Sequence, residues 1–154
     1  MFKQLAMATT MIATALGATA AENAPLIDKP AFTAPADGIF NIEALEALGR
    51  VSDPQVSPDG KKVLFGIAYE SVEQNKSNND LYLIDLKEAG RSIRLTRTPA
   101  SESNARWIDG GRRIAFIYPD GNKVGQLWVM DADGQNRVQV SHIEKGISGF
   151  VFSP

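Results

Sequence analysis

An all-β fold built from repeated four-stranded antiparallel modules is predicted by three observations. Asp80-Leu-Tyr-Leu-Ile-Asp-Leu86 returns as Gln126-Leu-Trp-Val-Met-Asp-Ala132, displaced by 46 residues. Val56-Ser-Pro-Asp-Gly-Lys-Lys-Val-Leu-Phe65 returns as Trp107-Ile-Asp-Gly-Gly-Arg-Arg-Ile-Ala-Phe116, displaced by 51. Phe152-Ser153-Pro154 then starts the unit again, 45 residues after Trp107. Self-similarity at a period of about 40–50 residues, with four short strands per copy, is the signature of a β-propeller. About two blades and the start of a third are too few to close a ring, so the chain reads as the front part of something larger.

Residues 1–20 stand apart from the fold. Lys3 gives a positive start, Leu5 to Leu16 an apolar run, and Ala18-Thr19-Ala20 a small-residue cleavage site. This is the pattern of a secretory signal peptide cut after Ala20, and the run is too short to span a bilayer. The mature protein is therefore expected to be periplasmic or secreted, with no stable membrane anchor. Residues 21–40 carry Pro25, Pro30 and Pro35 among alanines and read as an extended linker rather than a packed element. A short helix is expected within 41–50: Asn41 suits the N-cap, Glu43 and Glu46 favour the positive helix end, and Gly49 is placed to stop it. Its apolar stripe would be Ile42, Leu45 and Leu48, which must dock on something because so short a helix does not stand alone.

The first blade is assigned to 51–98, the second to 99–143 and the truncated third to 144–154. Ser57-Pro58-Asp59-Gly60 is a tight turn, with Pro presetting φ at its second position and Gly accepting positive φ at its fourth. Lys61–Tyr69 follows as a strand, then Leu81–Leu86, with Arg94–Thr96 closing the unit. The second copy offers Ala105–Ile108, Arg112–Tyr118, Gln126–Asp131 and Arg137–Ser141. The runs Val63–Ala68, Leu81–Leu86 and Ile114–Tyr118 are apolar on both faces, as stacked blades require. Residues 51–154 alone are expected to expose large apolar faces.

Composition narrows the partners. The formal charge is −2, and removing residues 1–20 leaves 15 basic against 18 acidic side chains. No nucleic-acid surface is expected, because Arg112 and Arg113 flank a turn near Arg106 and read as a solvated hairpin. The absence of cysteine excludes disulfide staples and anchoring through a modified Cys. No cofactor and no metal site is expected. Asp131-Ala-Asp133-Gly134 opens like a calcium loop, but His142 stands where a glutamate is needed, so it reads as a hairpin turn, as does Asp120-Gly121-Asn122. Asn75-Lys76-Ser77 is a formal glycosylation acceptor read as incidental. Trp107, Trp128, Tyr82 and Phe116 suggest an aromatic sugar platform, yet their recurrence at matched positions (Tyr82 with Trp128, Phe65 with Phe116) favours blade cores.

The helix followed by Arg50-Val-Ser-Asp-Pro-Gln-Val-Ser-Pro-Asp-Gly60 resembles the start of prolyl oligopeptidase-family serine peptidases. The pattern is similar to the exported dipeptidyl-peptidase 5 and acylaminoacyl-peptidase-like branch, as are Tyr69–Asn78, Leu95-Thr-Arg-Thr98 and Glu102-Ser-Asn104 before Trp107. The resemblance covers about residues 40–154. It implies a propeller that limits access to a C-terminal α/β-hydrolase domain with a Ser-Asp-His triad, acting on short peptides and releasing dipeptides. An alternative is a non-catalytic TolB-like periplasmic propeller that binds protein partners, which would place a separate α/β domain before the blades. A third is a carbohydrate-active or other propeller enzyme.

No catalytic residue is assigned within the chain. Gly146-Ile-Ser148-Gly-Phe150 has Phe where a nucleophile elbow needs glycine, and His142, the only histidine, falls in a strand-end loop. The 154-residue chain is therefore expected to lack peptidase activity. Glu70 and Glu73, in a long loop expected over Glu70–Asn79, are the candidates for holding a substrate's free amine, against the plainer reading of a solvated loop.

Overall fold

The computed structural model describes residues 25–88 and 91–153. The expected signal peptide and its cleavage site lie outside the described residues. Helix α1 (Ile42–Glu46) starts where expected, Asn41 Oδ1 accepting from Ala44 N at 2.9 Å. Its docking face is not the expected one. Ala44 and Ala47 are buried, whereas Ile42, Leu45 and Leu48 are each more than half exposed. The helix ends at Glu46, before Gly49. That glycine serves close approach: a Cβ there would lie 2.6 Å from Ile67 Cγ2 and 2.8 Å from the Tyr69 ring.

The strands β1 (Arg50–Val56), β2 (Lys62–Ser71), β3 (Lys76–Asp85) and β4 (Ser92–Arg94) form one antiparallel sheet in sequential order. β5 (Ser103–Ile108), β6 (Arg113–Pro119), β7 (Gly125–Asp131) and β8 (Val138–Gln139) form a second with the same order. The Ser57–Gly60 turn closes with Gly60 N on Ser57 O at 2.9 Å, and Gly60 takes φ +70°. Both first strands break register at matched positions, Asp53 (φ +46°) and Asn104 (φ +50°), residue types that tolerate the left-handed region of a bulge.

The expected long loop over Glu70–Asn79 is absent. β2 and β3 stay paired from Lys62↔Asp85 to Ser71↔Lys76, leaving only 72–75 as the turn. The extra residues of the first copy therefore lengthen a hairpin. A polar hairpin end wetted on both sides still satisfies its backbone groups by pairing, so polarity alone did not signal a loop.

One hydrophobic core joins the sheets. Leu64, Leu81 and Leu83 from the first pack with Ala105, Ile114, Phe116 and Met130 from the second, and Trp107, Tyr118 and Trp128 border them. Phe116 and Trp128 face each other across β6 and β7, as Phe65 and Tyr82 do across β2 and β3. The equivalent face of each sheet thus carries the equivalent aromatic pair. In the second sheet that face meets the first.

In the first sheet it meets the N-terminal segment. Of the stretch 21–40, expected as an extended linker, residues 25–40 are described, and two of them are anchored here: Ile27 is buried, and Asp28 bonds Arg94 and Arg97. An apolar side chain and a carboxylate between two guanidiniums hold a segment that has no regular structure of its own. The far face of the second sheet is mixed. Ala115, Ile117 and Val129 are buried, while Val138, opposite Val129, is exposed.

Candidate functional site

Glu70 and Glu73 both lie at the end of the β2–β3 hairpin. Glu70, on β2 opposite Ser77, accepts from Arg50 Nη1 at 2.5 Å, and Glu73 is exposed in the turn. Both line an open cleft of about 450 Å³ together with Glu43 and Glu46 of α1 and Asp28. Helix, N-terminal segment and hairpin thus converge on one acidic surface. Among the described residues Glu43, Glu46 and Glu73 carry no ion pair, so the cleft is suited to a cationic group.

A second polar assembly was not singled out from sequence. Leu81 N donates to Thr96 Oγ1 at 2.8 Å, and Leu127 N to Ser141 Oγ at 2.8 Å. Thr98 N donates to Asp80 Oδ1 at 3.2 Å, and Ile143 N to Gln126 Oε1 at 3.0 Å. Glu102 N donates to Asn79 O at 2.9 Å, and Ile147 N to Gly125 O at 2.8 Å. Each blade therefore ties the connection that leaves its last strand back to its third strand by the same three bonds. Leu95-Thr-Arg-Thr98 and Val140-Ser-His-Ile143 were the readable signal for this device.

The first copy carries charge at Asp80 and Glu102, where the second carries the amide of Gln126 and the apolar Ile147. Asp80 is fully buried and pairs with Arg94 Nη2 at 2.6 Å; burial pushes its carboxyl up despite that partner. Hydrogen bonds from Arg97 and then Arg94 hold the Asp28 carboxyl well below the usual carboxylate range. Glu102 is also fully buried, accepting from Thr96 Oγ1 at 2.9 Å, and burial pushes it up to about 7. Arg137 lies 3.5 Å from it and stacks over Phe116, Tyr118 and Trp128.

The remaining candidates are structural. Among the described residues no hydrogen bond joins Ser148 and His142, and both are exposed. Asp133 Oδ1 accepts from Gln135 N at 2.9 Å and Asp131 Oδ2 from Asn136 Nδ2 at 2.6 Å, using both carboxylates in the β7–β8 turn. Asp120 Oδ1 accepts from Asn122 N and Val124 N in the β6–β7 turn. Asn75 takes φ +47° in the β2–β3 turn. Trp107 and Trp128 donate to the Gln55 and Tyr118 carbonyls, and Phe65 stacks on Tyr82, so the aromatic set builds the blades. Arg106 pairs with Asp53 at 2.6 Å and Arg113 pairs with Asp109, which spends most of that basic cluster within the fold.

Two sheets of like order, stacked face to face and tied by a repeated bond set, define a β-propeller segment. No protein-family model matches the chain. It is 42% identical over 112 residues to dipeptidyl-peptidase 5 of Porphyromonas gingivalis, covering 73% of this chain and 16% of that protein. Dipeptidyl-peptidase 5 of Porphyromonas endodontalis is 31% identical over 111 residues, covering 72% of this chain and 16% of the relative. The acylaminoacyl peptidase of Pyrococcus horikoshii superposes with a TM-score of 0.52 over 62% of this chain and 14% of that one; at 24% identity it speaks for the fold. The chain spans about one sixth of the curated relatives it matches. It fits an N-terminal propeller segment of a prolyl oligopeptidase-family peptidase.

Proposed function

We propose that this chain is the access-limiting propeller of an exported serine peptidase that cleaves short peptides, releasing dipeptides. The observation that carries the reading is the 42% identity to a dipeptidyl-peptidase across 112 residues, enough to take in both sheets. The α/β-hydrolase domain and its triad would lie downstream. There a serine would attack the scissile carbonyl, with histidine moving the proton and backbone amides holding the oxyanion. This segment's contribution is exclusion: stacked blades admit short or flexible chains and reject folded ones. The pattern of Lys3, the apolar run to Leu16 and Ala18-Thr19-Ala20 supports export to the periplasm or beyond.

Glu70 and Glu73 are proposed to hold a peptide's free amine in the acidic cleft. The charge at that cleft supports the role, and the Arg50 bond to Glu70 leaves Glu73 as its unpaired member on the hairpin.

The test uses the full-length protein that carries this segment. Peptides with free and blocked amino termini are incubated with it and the products identified by mass spectrometry, with a fluorophosphonate probe reporting the serine. Dipeptide release abolished by the probe supports the reading. Absence of both labelling and cleavage, with capture of a protein partner instead, supports the non-catalytic alternative.

A further inference from the structure

The Thr98 hydroxyl has one proton and two acceptors. Its Oγ1 lies 2.6 Å from Ala100 O and 2.7 Å from Glu102 Oε1. A hydroxyl donates once, so an ionised Glu102 would leave one of these short contacts between two lone-pair oxygens. A protonated Glu102 removes the conflict. Its O–H donates to Thr98 Oγ1, which donates onward to Ala100 O, while Thr96 Oγ1 donates to the other carboxyl oxygen.

The guanidinium agrees with this proton count. Arg137 Nη1 stands 3.5 Å from Glu102 Oε1, longer than the roughly 2.7–2.9 Å of a charge-assisted bond. It is held over Tyr118 at 3.9 Å and Trp128 at 4.9 Å, and its buried Nε has no hydrogen-bond partner among the described residues. An ionised Glu102 would turn the Thr98 hydroxyl toward itself, draw Arg137 in, and release Ala100 O.

We propose that Glu102 is a proton switch on the seam between the two blades, holding the connection to Ala100 when protonated and Arg137, just before β8, when ionised.

The surroundings suit that role. Glu102 ends the connection between the sheets, and its backbone N–H is fixed on Asn79 O. The charged groups about it are Arg137 from the approach to β8, Asp80 of β3, and the Asp53–Arg106 pair joining β1 to β5. Asp80 is itself paired with Arg94 of β4, which also binds Asp28. A cleft of about 310 Å³, lined in part by Ser52, Asp53, Asn79, Ser101, Glu102 and Asn104, opens at the same stretch of seam, while the Glu102 side chain itself is fully buried. Burial lifts its titration to about 7. The folded pKa therefore lies above the unfolded one. The stability this group contributes is complete below the ordinary carboxylate range and is lost as pH rises toward neutrality.

The test compares the full-length protein with Glu102→Gln across about pH 5 to 9, a window around that titration. Infrared absorption reports protonated carboxyl groups, and hydrogen exchange, corrected for its intrinsic pH dependence, reports residues 99–102 and 137–141. The expected result is one protonated carboxyl lost with a midpoint near 7 and absent from Glu102→Gln. Protection of both segments should change at the same midpoint, and only in the unmodified protein. An ionised Glu102 throughout the range, or a titration that leaves seam protection unchanged, overturns the proposal. Should Glu102→Gln fail to fold, the unmodified protein decides alone: a protection step near neutrality supports the switch and a flat profile refutes it.

Discussion

Trp107, on the first strand of the second sheet, donates its indole N–H to the Gln55 carbonyl of the first sheet at 3.1 Å. This bond crosses the seam beside the shared core. Trp107→Phe keeps the apolar ring and leaves Gln55 O without its donor. The expected cost is about 1 kcal/mol in the opening free energy of β1 and β5, read by hydrogen exchange. Unchanged exchange would mean that solvent replaces the indole at no cost.

The Asp28 clasp gives a pH dependence of opposite sign to that of Glu102. Arg97 and Arg94 hold the Asp28 carboxyl below its ordinary range, so its stabilisation is complete above the unfolded pKa of about 3.9 and is lost as pH falls. Acidification is expected to release residues 25–31 before the sheets open. Asp28→Asn should release them at neutral pH, seen as faster exchange and proteolysis there. Both effects are modest, because Asp28 is partly exposed and screened.

Gly146 carries φ +71°, and a Cβ there would lie 2.4 Å from Val124 Cγ1 and 2.9 Å from Gly125 O. Gly146→Ala combines left-handed strain with a clash against backbone. It is expected to cost more than about 1 kcal/mol and to expose the 143–149 connection. Exchange measurements on that segment check it.

Kinetics of the full-length protein test the acidic cleft. Replacing Glu70 and Glu73 together by glutamine is expected to raise KM about tenfold, about 1.4 kcal/mol, for peptides with a free amino terminus. kcat and blocked peptides should be little affected. Identical kinetics would make the cleft merely solvated.

Ser148→Ala in the full-length protein is expected to leave hydrolysis unchanged, because Ser148 is exposed on an inter-blade connection without His142. Loss of activity with folding intact would place the nucleophile in this segment.

The repeat, the strand order's period and the turns at Ser57–Gly60 and Asp131–Gly134 were legible because they rest on local chemistry recurring at fixed spacing. Tertiary choices were not. Ala44 and Ala47 displaced Ile42, Leu45 and Leu48 as the helix's docking face, since apolar periodicity does not reveal how closely a neighbour approaches. Asp28 lies 66 residues before its partner Arg94 and has no periodic signal around it. Glu102 enters the sequence reading only within the stretch Glu102-Ser-Asn104, and its polar neighbours give no sign of burial; only the packed seam shows it. Glu70 was readable as a candidate, but its place on a continuing strand depended on pairing that polar composition concealed.

The most direct test of the stacked-blade architecture is Phe116→Ala, read by hydrogen exchange in the full-length protein. Phe116 belongs to the second sheet and packs in the core shared with Leu64, Leu81 and Leu83. Its truncation is expected to cost about 3–5 kcal/mol. Protection should fall in β2 and β3 as well as in β6 and β7. Loss confined to β6 and β7, with β2 and β3 untouched, would contradict a common core and the propeller built on it.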